Sequence, residues 1–129
     1  MFTIAQIKEV HGKVKSGADF PAYIQGIENL GVIFYETFVA DGHTDYYGTK
    51  DYKISSPASY EVMIVSETSD LEQFKVRLKA HQVGETNYPT FCRDCATAGI
   101  EKWVVDTEER SCTYYDKSGK AILVEAIPQ

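Results

Sequence analysis

The sequence predicts an α+β protein in which helices pack on one face of an antiparallel sheet. Three observations lead there. Apolar residues recur at helical spacing in four segments. Short runs of β-branched and aromatic residues lie between them, punctuated by glycine and proline turns. The order of elements, two helices followed by three strands, occurs twice, so the simplest assembly is two layers.

The first predicted helix covers 3–14, because Ile4, Ile7, Val10 and Val14 form one stripe and Thr3 with Gln6 makes a capping box. A second starts at Asp19, a good cap, with Pro21 in its first turn. Tyr23, Ile24, Ile27 and Leu30 are its buried face, and Gly31 is placed to end it in a left-handed conformation. The run 32–40 has strand composition. Asp41-Gly42 predicts a tight hairpin with positive φ at both positions, His43 to Tyr47 the returning strand, and 51–55 a third. Ser56-Pro57 breaks the pattern. The stretch 61–65 reads as either a strand or a connector. Ser69 with Glu72 repeats the capping-box signal, and Leu71, Phe74, Leu78 and His81 line a third helix that Gly84 ends. A fourth runs from Pro89 to about Ala98, stopped by Gly99. Strands at 101–107, 111–115 and 121–127 follow, the last two joined at Ser118-Gly119.

The halves correspond when the sequence slides by 68 residues. Pro21 then faces Pro89, Tyr23 faces Phe91, Gly31-Val32 faces Gly99-Ile100, Tyr35 faces Trp103, and Tyr46-Tyr47 faces Tyr114-Tyr115. The agreeing residues are caps, terminating glycines and large aromatics. An internal αα-βββ duplication is therefore expected, with pseudo-repeats at about 1–55 and 69–127 of a single domain. A groove at the axis between the repeats would be a natural binding site.

The chain has 129 residues, 43% hydrophobic and 25% charged. Such a length buries a sizeable core without a disulfide or metal. No apolar run approaches the roughly 20 residues of a membrane span, and no basic region with an apolar run opens the chain. A cytoplasmic protein is expected. The net charge of −6 argues against nucleic acid or anionic membrane as the main partner. Three cysteines, an odd number, read as reduced thiols rather than a disulfide framework.

The residues Tyr88-Pro89, Gly99-Ile100, Trp103-Val104-Val105-Asp106, Cys112-Thr113-Tyr114-Tyr115 and Gly119 resemble a bacterial family of about this length. So do Gly31-Val32, Tyr35-Glu36-Thr37 and the run from Asp41-Gly42-His43 to Tyr46-Tyr47-Gly48. The family is the domain of unknown function number 1398, some of whose members are prophage-encoded or labelled phage envelope protein. The resemblance spans nearly the whole chain. It implies a two-layer α/β sandwich and brings no activity and no catalytic residues.

The sharpest chemical motif is Cys92-Arg93-Asp94-Cys95. Two cysteines at i and i+3 share a helix face, and the helix N-terminus and Arg93 would favour a Cys92 thiolate. However, the strand that opens a thioredoxin-type unit is missing. Cys92 and Cys95 also align with Ile24 and Ile27 of the first half, which favours a core role for both. A zinc site would add His81 and Cys112 to the pair, yet those ligands come from separate elements and only one such pair exists. No metal and no cofactor is expected.

Asp41, His43 and Asp45 concentrate two carboxylates and an imidazole at a hairpin tip, a set suited to acid–base work or a cation. The calcium-loop pattern is not met. Tyr46 and Tyr47 must point to opposite faces of their strand, as must Tyr114 and Tyr115. One of each pair belongs to the core; the other is exposed, where ordinary strand packing is the favoured use and a binding surface the alternative. Nucleophile-elbow, phosphate-loop, zincin and dinucleotide motifs are absent. The favoured function is a non-catalytic binding or regulatory module for a protein or small ligand, its oligomeric state open. The rival is a redox or zinc protein using Cys92 and Cys95. An enzyme built on His43 with Asp41 or Asp45 ranks third.

Overall fold

A computed structural model describes residues 1–14 and 19–127. The elements run α1 (Ile4–His11), α2 (Phe20–Leu30), β1 (Phe34–Phe38), β2 (Thr44–Tyr47), β3 (Lys53–Ser55), α3 (Leu71–Gln82), α4 (Tyr88–Thr97), β4 (Lys102–Asp106), β5 (Ser111–Tyr115) and β6 (Ala121–Ala126). The strands form one antiparallel sheet in the order β3-β2-β1-β4-β5-β6. This is the expected α+β class. No helix among the described residues is long and apolar enough to cross a membrane.

The sheet is laid out evenly about its centre. β1 and β4 pair there, with Glu36 opposite Val104 and Phe34 opposite Asp106. Glu36 and Val104 are also partners under the 68-residue shift.

The capping box at Thr3 and Gln6 forms as expected, with Gln6 N donating to Thr3 Oγ1 at 3.2 Å and Thr3 N to Gln6 Oε1 at 2.9 Å. Helix α1 is shorter than the stripe suggested. It ends at Gly12, whose N–H closes on Lys8 O, and Val14 packs on the core from outside the helix. Gly31 ends α2 at φ +109.

Three local expectations change. The α3 cap is Asp70, not Ser69: its carboxylate accepts from Gln73 N at 3.0 Å. Asp70 N is bonded to Ala98 O, and Gly99 packs directly on Thr68 and Ser69, which delays the helix by one residue. The β1–β2 connection holds five residues, 39–43. Only Gly42 has positive φ there, because Val39 stays bonded to Glu101 O and Gly42 N closes back on Phe38 O. A side chain at Gly42 would strike the Tyr60 ring. The stretch 61–65 is a connector, held by Met63 N to Ala40 O at 2.7 Å.

Strand alternation sends Tyr35, Thr37, Trp103, Val105, Cys112 and Tyr114 into the core. There Phe74 of α3 meets Tyr114 at 4.8 Å, and Phe91 of α4 meets Trp103 at 5.6 Å. Ile24, Ile27, Phe74 and Ile100 are fully buried in the same core.

Candidate functional site

The other face of the sheet is built by the alternate residues of the same strands. Phe34, Glu36 and Phe38 of β1, Asp45 and Tyr47 of β2, Lys102 and Val104 of β4, and Thr113 and Tyr115 of β5 share it. The helices contribute their rings to the opposite face. Phe34, Phe38, Tyr47 and Tyr115 are each half-buried.

The rings are held in place by charges. The Tyr47 ring stacks on Phe34, with centroids 4.2 Å apart and planes 10° from parallel. The His43 ring stacks on Phe38 at 4.5 Å and 9°. The Lys102 ammonium pairs with Glu36 Oε1 at 3.1 Å and lies 5.8 Å from the Phe38 centroid and 5.5 Å from that of Tyr115. Lys53 Nζ sits 5.7 Å from the Tyr47 centroid. Such cation–ring contacts contribute about 0.5–1 kcal/mol each at exposed sites. Their larger effect is to hold long side chains in a fixed arrangement.

The hairpin tip adjoins this surface. His43 Nδ1 contacts Asp41 Oδ1 at 2.6 Å, and His43 N donates to the same oxygen at 3.0 Å. The backbone N–H of His43, then its ring, hold the Asp41 carboxyl below its ordinary range. His43 Nε2 faces Asp45 Oδ1 at 3.8 Å, and that oxygen also accepts from Ser55 Oγ at 2.6 Å. The tip is thus a closed polar cluster flanking Phe38.

The tyrosine pairs split as their spacing requires. Tyr47 and Tyr115 lie on the open face, while Tyr46 and Tyr114 turn to the core. Burial pushes Tyr114 well above the ordinary phenol range.

The cysteines lie inside. Cys92 and Cys95 are fully buried, Cys112 is nearly so, and all three are free thiols. Burial raises Cys92 above its usual range, offset in part by the Tyr60 and Tyr88 hydroxyls beside its sulfur. Burial raises Cys95 well above its range and pushes Cys112 up to about 12. The expected dipole stabilisation of a Cys92 thiolate is therefore outweighed by desolvation. His81 turns away from the thiols: its ring stacks on Phe91 at 4.5 Å, and Nδ1 contacts Thr86 O at 3.2 Å. Among the described residues no three His, Cys, Asp or Glu side chains gather as a metal site.

Two clefts form elsewhere. A shallow one of about 630 Å³ runs along the outer side of α3, by Val76, Lys79 and Val83. One of about 350 Å³ lies between Tyr60, Met63, Pro89 and Arg93.

Reasoning from the sequence missed Phe34, Phe38, Glu36 and Lys102 as members of the surface. For Phe34, Glu36 and Phe38 the available signal was their i, i+2, i+4 spacing in β1, which puts three large side chains on the face opposite Tyr35.

A family model described as a protein of unknown function, DUF1398, matches residues 8–126. No curated protein matches the chain.

Proposed function

The chain belongs to the DUF1398 family, and on the geometry of its open sheet face we propose that it is a non-catalytic binding module for a protein partner. The observation that carries this reading is the Lys102 clamp, which holds the rings of Phe38 and Tyr115 beside the ion pair with Glu36. Ordered aromatic rings give large contact area with little entropy left to lose on binding. The rings lie across four adjacent strands of one sheet face, which suits a macromolecule better than a small ligand. The chain's net charge of −6 favours a partner offering basic side chains. The rival reading, thiol chemistry at Cys92 and Cys95, has less support, because burial disfavours both thiolates.

The test is site-specific photo-crosslinking in cells. A photoreactive phenylalanine analogue replaces Tyr47 or Tyr115, and, for comparison, Val76 on the outer side of α3. The expected result is one shared adduct from both sheet positions, absent from Val76 and lost on adding Lys102→Glu. Adducts from Val76 alone, or none from either sheet position, would overturn the reading.

A further inference from the structure

The sheet has two edges, and their chemistry differs. Ser56 N donates to Thr44 O and Gly48 N to Tyr52 O, so Lys53 and Ser55 turn their own N–H and C=O away from β2, toward the free edge. The next outward position is Pro57, which has no N–H. A lysine and a proline are two of the devices that keep a sheet edge from pairing with another chain.

At the far edge, Ile127 N donates to Arg110 O at 2.7 Å, so Val124 and Ala126 are the residues facing outward. Their partners on β5 are Thr113 and Ser111, the counterparts of Asp45 and His43 under the 68-residue shift. Val124 therefore holds the place of Ser55, and Ala126 the place of Pro57. Neither of these two outward residues of β6 is a lysine or a proline. β6 is also twice as long, six residues against three, and Val124 is 61% exposed. A bulge where Ile122 is inserted bends only the first part of β6, leaving 123–126 in regular register.

We propose that β6 is a homodimer edge: two copies pair antiparallel through 122–126, joining their sheets into one of twelve strands. The occupant is a second copy because the strand is complementary to itself. A two-fold axis through Val124 sets Ile122 against Ala126 of the second copy and Glu125 against its Leu123, so no like charges meet. The β1–β4 seam already joins two three-stranded halves by the same antiparallel, centred register. A partner's strand with charged side chains would lack this fit. A strand pair without a large flanking surface falls below the standard interface size, so association in the micromolar range is expected.

Sedimentation velocity from about 1 to about 200 µM tests the state. The wild-type chain is expected to shift from monomer to dimer. Val124→Lys and Ala126→Lys, two edge charges that leave the β5–β6 ladder intact, should each remain monomeric with unfolding midpoints near wild type. In Val124→Cys, a short bifunctional thiol reagent should link two copies at position 124, since directly opposed Cβ atoms lie about 4.5–5.5 Å apart and the native thiols are buried. A chain that stays monomeric throughout would overturn the proposal. So would a dimer that survives both lysine variants and gives no link at 124.

Discussion

Glu36 and Lys102, 66 residues apart in sequence, form a 3.1 Å ion pair across the central β1–β4 seam of the sheet. The pair stands diagonally, since Glu36 faces Val104 and Lys102 faces Phe38 in the ladder. It leans the Lys102 stem across the seam and brings its ammonium over two rings on different strands. Tyr47 Oη also donates to Glu36 Oε2, at 3.4 Å. One carboxylate thus organises the open face.

The first prediction concerns that carboxylate. Both partners keep some solvent contact, 19% for Glu36 and 29% for Lys102, so the pair adds little to stability. Glu36→Gln should lower it by under about 1 kcal/mol. The same change frees Lys102, and affinity for the open-face partner should fall roughly tenfold, about 1.4 kcal/mol. Urea denaturation and the yield of the Tyr115 photo-adduct measure the two effects. Equal loss of stability and of binding would show that the residue acts only structurally.

The second prediction is a loss of stability in mild alkali. Cys112 titrates at about 12 in the folded chain because it is buried, and near 8.5 when unfolded. Between these values the unfolded chain has released the proton that the folded chain keeps. Raising the pH then favours unfolding. At pH 10 the loss from this thiol alone is about 2 kcal/mol. Cys95 acts in the same direction, as do Tyr23, Tyr60 and Tyr88 at higher pH, since burial raises each of them. Denaturant midpoints at pH 7, 8.5 and 10 should fall slightly over the first interval, where the unfolded thiols begin to ionise, and much more over the second. Cys112→Ser should flatten part of that drop.

Much of this architecture was legible in the sequence because the stop signals are chemically unambiguous. Gly31 and Gly99 end helices at positive φ as their positions required, and period-2 alternation correctly divided Tyr46 from Tyr47 and Tyr114 from Tyr115. The α3 cap was misplaced by one residue because a tertiary bond, Asp70 N to Ala98 O, decides it. The hairpin type was misjudged for the same kind of reason, since Val39 pairs with Glu101 across the sheet. The open face was only half visible. Tyrosines drew attention as pairs, whereas Phe34, Phe38 and Lys102 join them only once β1 and β4 lie side by side.

The third prediction separates packing from chemistry at the cysteines. Cys92 and Cys95 have no solvent exposure, so a disulfide reagent should label neither until the chain unfolds. Cys92→Ala and Cys95→Ala should each cost about 1–2 kcal/mol, the expected range for removing one buried heavy atom from a packed core. Open-face binding should persist in both. Rapid labelling of the folded protein at pH 7 would instead reveal a reactive thiolate.

The last prediction sets two helix-ending glycines against each other. Gly31 and Gly99 each end a helix, at φ +109 and +82, so alanine at either position carries a left-handed penalty of about 1–2 kcal/mol. Their surroundings differ. A Cβ at Gly31 would meet only the Phe2 ring, at 3.6 Å, an ordinary contact. A Cβ at Gly99 would press into the Thr68 carbonyl and lie 2.7 Å from Ser69 Cα, both backbone atoms of the segment that leads into α3. That segment cannot shift without breaking Asp70 N to Ala98 O and Ser66 N to Ala96 O. Gly99→Ala should therefore cost at least about 3 kcal/mol, in the range of severe core defects, while Gly31→Ala stays near the backbone penalty alone. Chemical denaturation of the two variants compares them directly. Equal losses would mean that the α4 terminus yields more readily than its hydrogen bonds imply.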